Sequence, residues 1–202
     1  MKNHLKFVLT AALLGSFSLA GLAPAHAQDK PLKEANKINK QRNKLKADDS
    51  PLRKSELNYD SEFVVAVASH HQLEVALGRL AQQKAIAPEV LDWGRQMEAT
   101  HEQAQRELQA IAERNHITLP TALSEDDRDL YNDVDDRKYL GFDKKYLRAL
   151  KDQHARTLKQ YSEAATKLST PELQEYAARM LPMLRQDEQT IDALYERADA
   201  RK

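Results

Sequence analysis

The chain of 202 residues contains no cysteine. A disulfide framework, a thiolate nucleophile, a cysteine metal site and a lipid-modified cysteine are excluded together. Glycine is scarce, five residues in all. Neither common Gly-rich phosphate loop is present, so nucleotide binding by those routes has no support. No stretch after residue 23 is apolar and long enough to cross a bilayer. What fills the chain instead is Ala, Leu, Glu, Gln, Lys and Arg, the strong helix formers. The length suits one helical domain with extras.

Charge of one sign is also missing overall: 31 Lys+Arg balance 31 Asp+Glu. The balance hides three unlike segments. Lys2 and Lys6 flank an apolar run over 7–23, interrupted by Thr10, Gly15, Ser16, Ser18 and Gly21, and Ala25-His26-Ala27 follows. This reads as a signal peptide over 1–27 with a small-x-small cleavage site, rather than as a membrane anchor. The mature protein is then expected to be periplasmic or secreted, and not a lipoprotein. Residues 28–58 hold 9 Lys+Arg against 5 Asp+Glu, with Pro31 and Pro51 and almost no aromatics. They read as a basic, disordered arm, either a solvated tether or a contact for a membrane surface or cell wall. From Tyr59 onward 20 Lys+Arg face 26 Asp+Glu. That acidic domain, residues 59–202, argues against a nucleic-acid partner.

Within it the apolar period is helical throughout. Ser61 can cap a first helix reaching about Lys84. Pro88 suits the first position of a second helix, to about Asn115. A short acidic helix is expected from Ser124, with Glu125, Asp126 and Asp127 favourable at its N-terminal end. A third long helix follows Gly141, about Phe142 to Leu168. Thr170-Pro171-Glu172 opens the fourth, to about Ala198. The two short connections make antiparallel neighbours, while the long one can cross a bundle. Two hairpins joined by a long crossover containing a short helix define an all-α, ferritin-like four-helix bundle.

Each long helix carries an apolar stripe, and each stripe has an ionisable interruption: Glu74, His101, His154 and Asp187. Glu74 and His101 lie nearly equidistant from the turn at 84–88. His154 and Asp187 are nearly equidistant from the turn at 168–171. The four are therefore expected in one buried layer. Buried ions need partners. Imidazole and carboxylate suit a transition metal such as Fe, Mn, Zn or Cu, with no soft ligand competing. His70, His71, Glu98 and Glu188 are secondary ligand candidates. The alternative is a metal-free interaction or envelope-stress protein whose polar layer fixes helix register. A di-metal carboxylate site needs a Glu on two helices and Glu-x-x-His on two others. Only Glu74 and Glu98-Ala-Thr-His101 answer to it, so a di-iron oxidase is disfavoured. A non-enzymatic role in metal storage, buffering or stress protection fits better.

Several stretches carry a family resemblance: Leu73-Glu-Val-Ala-Leu-Gly-Arg-Leu-Ala81, Met97-Glu-Ala-Thr-His101, Ile117-Thr-Leu-Pro120, Phe142-Asp-Lys-Lys-Tyr146, His154 and Leu181-Pro-Met-Leu-Arg185. Spread over Glu62 to Leu194, they resemble the bacterial domain of unknown function family 4142, grouped with the ferritin-like superfamily. The resemblance implies an exported helical bundle with Glu74, His101 and His154 at characteristic polar positions. The family pattern places a histidine in the second hairpin where this chain has Asp187.

Overall fold

The computed structural model describes residues 30–201. The expected signal segment, residues 1–27, lies outside them. Among the described residues the structure is all-helical: α1 (Lys30–Lys46), α2 (Lys54–Lys84), α3 (Pro88–Arg114), α4 (Glu125–Asp135), α5 (Leu140–Lys167) and α6 (Pro171–Ala200). No helix among them is long and apolar enough to cross a membrane. Helices α3 and α6 open on prolines, where a missing N–H costs nothing because the first turn has no intrahelical acceptor for it. Ser124 caps α4, its hydroxyl accepting from the Asp127 N–H at 3.0 Å.

The short turns 85–87 and 168–170 fold the chain into two antiparallel hairpins, α2–α3 and α5–α6. The direction is visible in the pairs Lys144–Asp199, Arg148–Tyr195 and Lys151–Asp192, which climb α5 as they descend α6. In the first hairpin the helix backbones come close at Gly78 and Gly94. A Cβ at Gly78 would lie 2.7 Å from the Gly94 carbonyl oxygen and 2.9 Å from the Glu98 nitrogen, so only glycine fits there.

The two hairpins are equivalent at a constant offset of 83 residues. Asp60/Asp143, His71/His154, Lys84/Lys167, Pro88/Pro171 and Met97/Met180 are identical pairs at that spacing. The contacts repeat with it. Buried Asp60 on α2 accepts from the backbone N–H groups of Ser169 and Thr170, at 2.9 and 2.8 Å. Buried Asp143 on α5 accepts from Ile86 and Ala87, at 3.1 and 3.0 Å. Each hairpin thus clamps the turn of the other. Helix α4, in the connection between hairpins, packs on α2 and α5. The Ser69 hydroxyl ties it down, donating to Asp127 at 2.5 Å and accepting from the Ser124 N–H at 3.0 Å.

The N-terminal arm departs from expectation. It is not disordered: residues 30–46 form α1, which lies on α2. Beside the small apolar Ala35, the buried side chains of α1 are amides. Asn39 grips the Thr118 backbone twice, donating to its carbonyl at 2.9 Å and accepting from its N–H at 2.7 Å. Asn43 donates to the Leu57 carbonyl at 2.9 Å and the Ser61 hydroxyl at 3.1 Å. Ser61 is consequently inside α2, which begins at Lys54, and is not its cap. The expected domain start at residue 59 falls within this helix.

Two apolar clusters fill the bundle. One contains Leu73, Leu77, Trp93, Met97, Phe142, Tyr146, Leu150 and Ile191. The other contains Phe63, Val67, Ala104, Leu108, Tyr161, Tyr176 and Leu184. On every long helix the switch from one cluster to the other falls at a buried polar residue.

Candidate metal centre

The polar layer is assembled from four helices. Helix α2 contributes His70, His71 and Glu74, α3 His101, α5 His154 and Thr157, and α6 Asp187, all of them buried. Glu74, His71, His101 and His154 have no exposed surface at all, 0 % each. One ligand-capable atom from each of His101, His154 and Asp187 lies within 4.8 Å of the others. The structure therefore brings together three of the four residues expected from the stripes. Glu74 stands outside that trio but against it, with Oε1 3.9 Å from His154 Nδ1 and 3.7 Å from His70 Nε2.

Hydrogen bonding sets the His154 tautomer. His154 Nδ1 lies 3.2 Å from the Leu150 carbonyl oxygen. A carbonyl only accepts, so Nδ1 holds the proton and Nε2 keeps its lone pair. His101 belongs to a relay with His71 and Tyr176. The Tyr176 hydroxyl lies 2.8 Å from His71 Nε2 and 3.5 Å from the Ala104 carbonyl, and the direction of the short contact follows the His71 tautomer: with the His71 proton on Nε2, the hydroxyl accepts it. His71 Nδ1 is then bare and accepts from His101 Nδ1–H, 2.9 Å away. The lone pair of His101 is left on Nε2. Neither His101 Nε2 nor His154 Nε2 has a hydrogen-bond partner among the described residues. A ring whose far nitrogen donates to a fixed acceptor is the arrangement a metal-ligating histidine needs.

Burial governs the charges. It pushes the His71 imidazole down to about 3 and His154 down to about 4. Burial lowers His70 and His101 well below 6.5, with the neighbouring imidazoles adding to it. All four rings are thus neutral near pH 7 and able to offer lone pairs. The carboxyls move the other way. Burial raises Asp187 to about 6, and raises Glu74 well above its usual 4.5, with Asp187 and Asp127 contributing. Both Glu74 oxygens, Asp187 Oδ2 and the Tyr146 hydroxyl also lack hydrogen-bond partners among the described residues. Each unpaired buried polar group costs about 1–3 kcal/mol. A divalent cation would engage the two nitrogens and neutralise both carboxylates, and a set of nitrogen and oxygen donors suits Fe, Mn, Zn or Cu(II).

The secondary candidates divide. His70 and His71 belong to the layer. Glu98 does not: Arg79 Nε and the Gln82 amide draw its carboxylate away, each at 2.6 Å, and hold its pKa down. Its Glu-x-x-His spacing with His101 thus ends in an inter-helix ion pair. Glu188 is half-buried and no member of the ligand trio. Two tyrosines also take part. Tyr176 and Tyr161 hold His71, at 2.8 and 3.3 Å. Tyr161 lies on the buried face of α5, one helical repeat of seven after His154, and a buried tyrosine needs a hydroxyl partner, which was the available signal.

A family model described as a domain of unknown function, DUF4142, matches residues 45–194. No curated protein and no solved structure matches the chain.

Proposed function

The chain belongs to the DUF4142 family, and for this member we propose that the bundle core binds a single divalent transition-metal ion. His101 Nε2, His154 Nε2 and Asp187 Oδ2 are the ligands, and Glu74 is the adjoining carboxylate. The observation that carries this is the convergence of unpartnered polar atoms from four helices in one buried layer. The reading extends to an exported protein that stores or buffers metal, or protects against stress. The two equivalent hairpins and their long connection support a ferritin-like arrangement. A di-iron oxidase lacks support, because Glu98 is engaged elsewhere and no histidine on α6 completes a second Glu-x-x-His.

The second reading, a metal-free interaction protein, draws on the His71–Tyr176–Tyr161 contacts, which satisfy His71 without an ion. Metal analysis separates the two. Protein made without a histidine tag, stripped with chelator and then given Zn(II) or Co(II), should take up about one ion per chain. His101→Ala and His154→Ala should each abolish that uptake. A wild-type protein that stays empty and equally stable would establish the metal-free reading instead.

A further inference from the structure

Helices α1, α2, α4 and α5 surround a cavity of about 830 Å³ on one flank of the bundle. Asp126, Asp127, Asp129 and Asp133 of α4 line it, against the single guanidinium of Arg156. Asp127 is held by Ser69, and Asp133 is paired with Lys145 and Arg137. Asp126 and Asp129 are exposed and make no ion pair among the described residues. At the inner end sits His70, 5 % exposed, the only ionisable side chain among the described residues shared by the cavity and the buried layer.

The surroundings of His70 bridge two environments. On the cavity side its Nδ1 meets the Gln153 amide at 3.4 Å, and Nε2 meets the Thr157 hydroxyl at 3.4 Å. Both contacts are at the long limit of a hydrogen bond, so little is lost when either is exchanged. On the inner side Nε2 is 3.7 Å from Glu74 Oε1. The ring centroid lies 5.9 Å from that of His101 and 6.4 Å from that of His154. A divalent cation entering a dry core must lose its water stepwise, and each lost water needs a protein donor in its place. Carboxylates at a mouth raise the local cation concentration and speed capture.

We propose that this cavity is the metal inlet of the bundle, and that His70 is a transfer ligand which takes a divalent cation from the acidic mouth and hands it to Glu74 and the buried trio. The proposal rests on the metal-binding reading above. It differs from that reading in assigning His70 to the rate of loading and not to the final affinity.

The test is stopped-flow mixing of chelator-stripped full chain with Co(II), followed by its visible absorption, beside an equilibrium titration. His70→Leu should load at least about tenfold more slowly, while reaching the same final occupancy with an affinity within about threefold. Asp126→Asn/Asp129→Asn changes only the exposed mouth. It should load about 3- to 10-fold more slowly at low ionic strength, and the difference should vanish near 0.5 M salt. Unchanged loading in both variants overturns the inlet and leaves the metal site standing. Loss of equilibrium binding in His70→Leu makes His70 a resident ligand and overturns the transfer role. A misfolded His70→Leu shifts the decision to the surface pair, whose unaltered rate overturns the proposal. No uptake by wild-type protein removes both the inlet and the metal site.

Discussion

The relay behind His101 yields a sharp prediction. With the His71 proton on Nε2, directed to Tyr176, His71 Nδ1 accepts and the His101 proton sits on Nδ1. Tyr176→Phe removes that acceptor but leaves the Tyr161 hydroxyl 3.3 Å from the same nitrogen. The double variant Tyr161→Phe/Tyr176→Phe removes both. His71 then gains nothing from a proton on Nε2 and can donate through Nδ1 instead. His101 Nδ1 would become the acceptor, and its proton would sit on Nε2, facing the trio and blocking ligation. Loss of such an outer partner weakens metal binding about 10- to 100-fold, about 1.4–2.7 kcal/mol. The single variant should lose less. Both changes keep the rings and their packing, so the fold is retained at a cost of about 1 kcal/mol per hydroxyl. Competition against a chromophoric chelator reads the affinity, and ¹⁵N shifts of His101 read the tautomer. A double variant within twofold of wild type, with the proton still on Nδ1, would refute the relay.

Gly78→Ala should destabilise the protein by about 1–3 kcal/mol, because its methyl would meet two backbone atoms of α3; a higher urea midpoint, following alanine's helix propensity, would contradict this. Asp60→Ala and Asp143→Ala each strand two backbone N–H groups. Each should cost about 3–5 kcal/mol, and the two losses should agree within about 1 kcal/mol if the hairpins are equivalent; a large inequality in chemical denaturation would break that equivalence. Metal-free protein should lose stability on acidification. His70, His71, His101 and His154 stay neutral in the fold well below 6.5, so the unfolded chain binds protons that the native chain refuses between about pH 6.5 and 4. Asp187, raised to about 6, and Glu74, also raised, oppose this by holding protons in the native state that the unfolded chain releases. Four rings outweigh two carboxyls, giving on the order of 1–3 kcal/mol per pH unit near pH 5. Urea midpoints at pH 7.5 and 5 check it, and a rise on acidification would refute the assignment of neutral rings.

Most of the helices were legible because their signals are local. Pro88, Pro171 and Ser124 mark starts, and apolar spacing marks faces. The shared depth of His101, His154 and Asp187 followed from equal distances to short turns. Glu74 was placed in the right layer but not in the trio, since periodicity fixes height and leaves the reach of the side chain open. Glu98 was misjudged because Arg79, on another helix, decides where its carboxylate goes. Composition makes the α1 segment look disordered because it measures apolar content, whereas polar Asn39 and Asn43 anchor this helix to Thr118 and to the start of α2. The tyrosine relay was hidden for a related reason: hydroxyl partners are set by tertiary neighbours, not by spacing along one chain.

The division of the interior into two oily halves with a wet-chemistry waist bears on how the molecule breathes. Ordinary bundles fray from their ends inward. Here the ends are sealed by crossed aspartate clamps, and the weakest cohesion lies midway along the helices. Water should penetrate first at the middle, and amides there should exchange sooner than their depth implies. A bound ion would act as a rivet at that point, and the native protein would then report metal supply as mid-helix rigidity.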